Sequence, residues 1–169
     1  MPLSHCSLPL LEDLRTDHEK QYIHTITMEV SKKGHTFESV IYDQNEIDDI
    51  WDQVKDEVKR TDCEFLDHHD IKILLKEGYY ILWLVREKDT QNIVAVVIIE
   101  IVHNIRHKIS RVVSIGGTRM HEWLTFHLHA LEEWSKNNGC SHMDIYGRKG
   151  WKKVLKEYNE HCILLRKQL

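Results

Sequence analysis

Apolar positions change their period several times along the chain, and each change marks an element. Leu124, Leu128, Leu131 and Trp134 recur at helical spacing, which predicts a helix over 121–137 ended by Gly139. Ile47, Ile50, Trp51, Val54 and Val58 repeat that spacing after Asn45 and Asp48, two residues that suit a helix start. Asp49, Asp52, Lys55, Asp56 and Lys59 supply the solvated face of this helix. A shorter helix is expected over 68–77, with Ile71, Leu74 and Leu75 inward, Asp67 as cap and Gly78 as stop.

Between and around these helices lie strand-like runs. Those over 22–30 and 36–42 flank Ser31-Lys32-Lys33-Gly34, which reads as a hairpin turn. Three more runs cover 79–86, 93–102 and 109–115. The middle one is almost continuously apolar, the mark of a central strand covered on both faces. A tight turn over 87–92 joins the first two, a polar and basic connection over 103–108 joins the next, and Gly116-Gly117 ends the third. A strand over 142–146 then leads through Gly147 into a helix carrying Trp151, Val154, Leu155 and Tyr158, and 162–165 form a last strand. Strand and helix alternate at this end, which favours parallel pairing in a sheet that is antiparallel nearer its start. Residues 1–20 are expected to form an N-terminal extension, and 21–169 a single α/β (α+β) domain.

Composition narrows the possible tasks. A formal net charge of −4 disfavours a nucleic-acid module that relies on overall basicity. No apolar run approaches the roughly 20 residues that span a bilayer, and the N-terminus lacks the regions of a signal peptide. Secretion and membrane insertion are therefore not expected. Cys6, Cys63, Cys140 and Cys162 form no CxxC pair and read as reduced thiols, with Cys140 a small packed residue. The 13 histidines form no HExxH or Cys/His cluster, so no metal site is expected.

The segment Ala130-Leu131-Glu132-Glu133-Trp134-Ser135-Lys136-Asn137-Asn138-Gly139-Cys140, followed by a strand and another helix, resembles the GNAT acetyltransferase superfamily. The likeness is nearest to a small phage-associated branch of it. Leu82-Trp83, Gly116-Gly117, Glu122-Trp123, Gly147-Arg148-Lys149-Gly150-Trp151 and Val154-Leu155 also carry it, as does the ending Leu164-Leu165-Arg166-Lys167-Gln168-Leu169. It covers about residues 36–169. The resemblance implies a GNAT-like mixed, mostly antiparallel sheet with helices on both faces. It also implies a diphosphate-binding loop at the start of the long helix, where glycines let backbone N–H groups approach acetyl-CoA. Arg119 falls on the Gln or Arg position of that loop, but Glu122 and Leu124 fall on its glycines. A carboxylate repels a diphosphate, and large side chains obstruct the backbone approach. Leu155 takes the place of the tyrosine that many family members use to protonate the departing thiolate, with Tyr158 three residues further on.

The remaining candidates divide between chemistry and packing. Gly116, Gly117, Arg119 and Arg148 are the candidate cofactor-binding set, with a turn after a strand as the plainer account of the glycines. Glu100 interrupts an apolar strand and is a candidate general base; a carboxylate at an exposed face or strand end is the plainer account. Tyr158 is the other catalytic candidate. Trp51, Trp83, Trp123, Trp134 and Trp151 read first as core residues, with Trp123 and Trp151 near the expected cleft mouth, and Lys149, Lys152, Lys153 and Lys156 form a basic patch that reads first as a solvated face. Two functions follow from the resemblance. One is a phage-associated protein that kept the fold, lost the chemistry, and serves as a virion or host-interaction component with a protein partner. The other is an acetyl-CoA-dependent N-acyltransferase acting on an amine. Either places the protein in the cytoplasm of a host cell or in a virion.

Overall fold

The computed structural model describes residues 29–32, 35–63, 66–147, 149–161 and 167. Its elements are β1 (Glu29–Lys32), β2 (His35–Tyr42), α1 (Ile47–Lys59), α2 (His68–Lys76), β3 (Tyr80–Glu87), β4 (Ile93–His103), β5 (Lys108–Gly117), α3 (Met120–Asn137) and β6 (His142–Ile145). One six-stranded sheet takes the strands in chain order, β1-β2-β3-β4-β5-β6. Every neighbouring pair is antiparallel except β5–β6, which is parallel with α3 as its crossover. This is the mixed, mostly antiparallel sheet expected from the order of elements.

Each face of the sheet owns one core. Ile47, Ile50, Trp51, Val54 and Val58 of α1, with Ile71 and Leu75 of α2, pack on Leu82, Leu84, Val96 and Ile98. Ala130, Leu131 and Trp134 of α3 pack on Ile41, Trp83, Val97, Ile99 and Val112 from the other side. Residues 94–99 of β4 are buried without a break, because alternate side chains enter opposite cores. Each large apolar side chain removed from water in this way contributes about 1.5–3 kcal/mol. Local signals agree with the packing: Asp67 accepts from His69 N at 2.8 Å and from Asp70 N at 3.0 Å, which closes the first turn of α2.

Three expectations need correcting. β1 continues through Ser31 and Lys32, so the break placed at Ser31 starts later. Gly116 and Gly117 are paired strand residues, opposite Val96 and Ala95, and do not form a turn after the strand. The helix expected to carry Trp151 through Tyr158 is a short 3-10 turn, Lys149–Lys153, followed by irregular backbone. Gly150 weakens helix there, and Val154 is 45% exposed, so the apolar spacing has no continuous buried stripe to reward it. The extension over 1–20, most of the run over 22–30 and the strand over 162–165 lie outside the described residues. The chain divides into two compact units, Lys20–Tyr146 and a smaller one made of Met1–Glu19 with Gly147–Leu169.

Candidate functional site

The parallel pair β5–β6 stops early. Its register runs from Ile109↔His142 to Val112↔Ile145, while β5 itself continues to Gly117. A bulge explains the parting. Ile99 lies opposite Val112 but Ile98 lies opposite Ser114, so Val113 is an extra residue in β5. Val113 packs against the α1–α2 core and Ser114 Oγ donates to Thr61 Oγ1 at 2.7 Å, so two successive side chains point to one face. The crevice beyond the carboxyl end of a parallel strand, beside the following helix, is where open α/β sheets place ligands. Here it is bounded by residues 113–117 and the start of α3.

Both glycines at the end of β5 have packing reasons. A Cβ on Gly116 would stand 2.9 Å from the Glu57 carbonyl oxygen, so α1 approaches the bare backbone. One on Gly117 would stand 2.4 Å from the Val94 oxygen and 2.7 Å from Ala95 Cα, inside the neighbouring strand. Thr118 N then donates to the Val94 oxygen at 2.9 Å, and Trp123 Nε1 donates to the Thr118 oxygen at 2.6 Å. The turn into α3 is thereby tied to β4 on one side and to its own first helical turn on the other. Trp123, a core candidate near the expected cleft mouth, is 1% exposed.

Arg119 occupies the position before α3 with φ 54° and ψ 33°, a left-handed conformation that costs a non-glycine residue roughly 1–2 kcal/mol. Its guanidinium donates to Glu122 Oε2 at 2.6 Å and also to Glu87, and it lies 5.4 Å from the Phe37 ring centre. Hydrogen bonds to Glu122, and then to Glu87, push its pKa above the ordinary arginine value. Glu87 and Glu122 are largely covered, with side chains 10% and 15% exposed. Glu122 sits in the first turn of α3, where the helix dipole favours an anion. The chain's own carboxylates thus meet both the cation and the helix end. Leu124, at the second glycine position, is buried. These residues do not fit a diphosphate: it would have to displace two carboxylates from Arg119.

The candidate base is not gathered here. Glu100 stands opposite Arg111, five residues along β4 from Ala95 and roughly 17 Å away at strand rise. Arg111 donates to Glu100 Oε1 at 2.9 Å and to Asp144 Oδ2 at 3.4 Å, with its guanidinium 4.7 Å from the Tyr146 ring centre. Tyr80, opposite Glu100, has its phenol pushed up to about 12, first by burial and then by the Glu100 charge. Tyr158 belongs to the smaller unit, in a turn where its N donates to the Leu155 oxygen at 3.1 Å, and Arg148 lies outside the described residues.

Two groups escaped the sequence reading. Glu87 was assigned to a turn, yet it ends β3 and reaches Arg119. His127 lies fully inside the α3 core, 3.2 Å from Ser39 Oγ through Nδ1, with Trp83 and Trp123 edge-on to its ring. Its Nε2 and the Trp83 Nε1 are buried without a hydrogen-bond partner among the described residues, and burial alone pushes the imidazole down to about 3. The signal for His127 was its place four residues from Trp123 and from Leu131 on the inner stripe. Among the described residues no group of three or more His, Cys, Asp or Glu side chains is placed to hold a metal, and no helix is long and apolar enough to cross a membrane.

Solved structures place this arrangement in a class. A GNAT family acetyltransferase from Staphylococcus aureus matches over 79% of this chain and 98% of its own, with 15% identity and a TM-score of 0.59. Glucosamine-6-phosphate N-acetyltransferase from Arabidopsis thaliana matches over 78% and 97%, with 12% identity and a TM-score of 0.56. Ribosomal-protein-alanine N-acetyltransferase from Brucella melitensis biovar Abortus matches over 78% and 99%, with 11% identity and a TM-score of 0.55. The chain has the GNAT acetyltransferase fold. No protein-family model and no curated protein matches it.

Proposed function

We propose that the chain uses the GNAT fold as a binding scaffold and does not transfer acyl groups. The observation that carries this reading is the state of Arg119 at the turn before α3: Glu122 and Glu87 neutralise it, so the cation a diphosphate would need already has two carboxylate partners. A GNAT scaffold whose cofactor cation is already paired retains a rigid sheet and a set of loops, which suits recognition of a protein partner. The resemblance to a phage-associated branch supports a virion or host-interaction component as the particular role. The second reading, an acetyl-CoA-dependent N-acyltransferase, draws on the parting of β5 and β6 beyond Val112 and Ile145, which leaves the crevice in place.

Isothermal titration of the full chain with acetyl-CoA separates the two. The scaffold reading expects no heat at millimolar ligand. Micromolar binding that disappears in Arg119→Ala would overturn it in favour of the acyltransferase.

A further inference from the structure

The connection between β4 and β5 takes no part in the site above. β3 reaches only as far as the Tyr80↔Glu100 pair, whereas β4 and β5 stay paired through Ile101↔Ser110, Val102↔Ile109 and His103↔Lys108. β4 and β5 therefore project past β3, with β6 alongside β5 only as far as Ile109. The β4–β5 tip is a rigid loop. Asn104 N donates to the His107 oxygen at 3.0 Å, and Asn104 Oδ1 accepts from Arg106 N at 3.0 Å and His107 N at 2.8 Å. This turn holds Ile105 at 100% exposure, the most exposed large apolar side chain described.

Along the chain on either side of Ile105 the formal charges are positive. Residues 101–110 include Arg106, Lys108, His103 and His107 and no carboxylate, and His142 stacks edge-on to His107 at 4.8 Å. Lys108 is pinned by donating to the Asn138 oxygen at 2.7 Å. The whole chain carries a net charge of −4, so this tip is a positive projection on an acidic protein. An exposed apolar side chain flanked by Arg106 and Lys108 matches a small apolar pocket rimmed by carboxylates. A lipid surface would call for a broad apolar face, and a nucleic acid would leave Ile105 without a role.

We propose that the Asn104–His107 tip is a docking element for an acidic protein segment, with Ile105 as the anchor and Arg106 as the charge that selects it. This rests on the scaffold reading and names the surface and partner chemistry it uses. The test is backbone amide NMR on the full chain, titrated with a short peptide alternating glutamate and leucine, and separately with its lysine–leucine counterpart. The expected result is shifts confined to residues 103–108 and 142 with the acidic peptide alone, weakened by salt. Ile105→Ser should reduce that affinity roughly tenfold, and Arg106→Glu should abolish it. Both positions are exposed, so unchanged melting curves would show that the variants stay folded. No shifts at millimolar acidic peptide, shifts elsewhere, or equal response to the lysine peptide would each overturn the proposal. So would tip-dependent binding of phosphatidylserine vesicles or single-stranded RNA in place of the peptide. Heat with acetyl-CoA would sink the scaffold reading and leave this outcome to be judged on its own.

Discussion

Two arginines at opposite ends of β5 are held in the same way and to different effect. Arg111 lies between Glu100 and Asp144 beside the Tyr146 ring, and Arg119 lies between Glu87 and Glu122 beside the Phe37 ring. Arg111 is a strand residue whose side chain is 12% exposed, and its two carboxylates belong to the flanking strands. It is a cross-strand tie. Arg119 is 32% exposed, has a left-handed backbone, and takes one partner from its own helix and the other from β3. The difference teaches where the molecule tolerates strain: the paired end of β5 is regular, and the parted end keeps an unfavourable backbone in place with ion pairs.

The largest effect expected comes from acid, and it bounds the range in which the comparison can be made. His127 has a folded pKa of about 3 against an ordinary value of 6.5. Because the folded state disfavours the proton, its contribution is fully present above pH 6.5 and is lost as pH falls toward 3. By about pH 4 the loss should reach about 3 kcal/mol. Urea unfolding from pH 7.5 to 4 should show this slope, and His127→Leu should flatten it. An unchanged slope in the variant would mean that the imidazole is not buried.

The next effect distinguishes the arginines at neutral pH. Arg111→Ala leaves two partly covered carboxylates facing each other, and with allowance for their exposure the cost should be about 2 kcal/mol in urea unfolding. Arg119→Ala should cost more, because the carboxylates it leaves, Glu87 and Glu122, are more deeply covered than Glu100 and Asp144. Equal losses would erase the distinction. The smallest effect isolates the backbone strain at Arg119: Arg119→Gly should melt about 2–4 °C above Arg119→Ala, because glycine accepts the left-handed backbone without penalty. A Tm no higher than that of the alanine variant would remove strain from the account.

Local chemistry made most of the fold readable from the residues. The stripe through Leu131 and Trp134, the Asp67 cap and the apolar run of β4 each follow from contacts within a few positions. The site was half legible. Arg119, Glu122 and Leu124 could be placed by counting, because they share one segment. Glu87 could not, since it is 32 residues from Arg119 and meets it only when β3 and the turn before α3 come together. Gly116-Gly117 suggested a turn because glycine usually punctuates; the backbone of α1 and of β4 supplies the actual requirement. The stretch after Gly147 misled in the opposite way, with helical spacing but no continuous buried stripe to sustain it.

The extra residue at Val113 has a reach beyond its own position. It shifts the alternation of β5 so that Ile115 joins the α3 core and Gly116 turns its missing side chain toward Glu57. In an unbroken strand Ile115 would meet α1 there and push that helix off the sheet. One inserted residue thus sets which side chains of β5 each helix meets, and so how closely α1 can lie on the sheet.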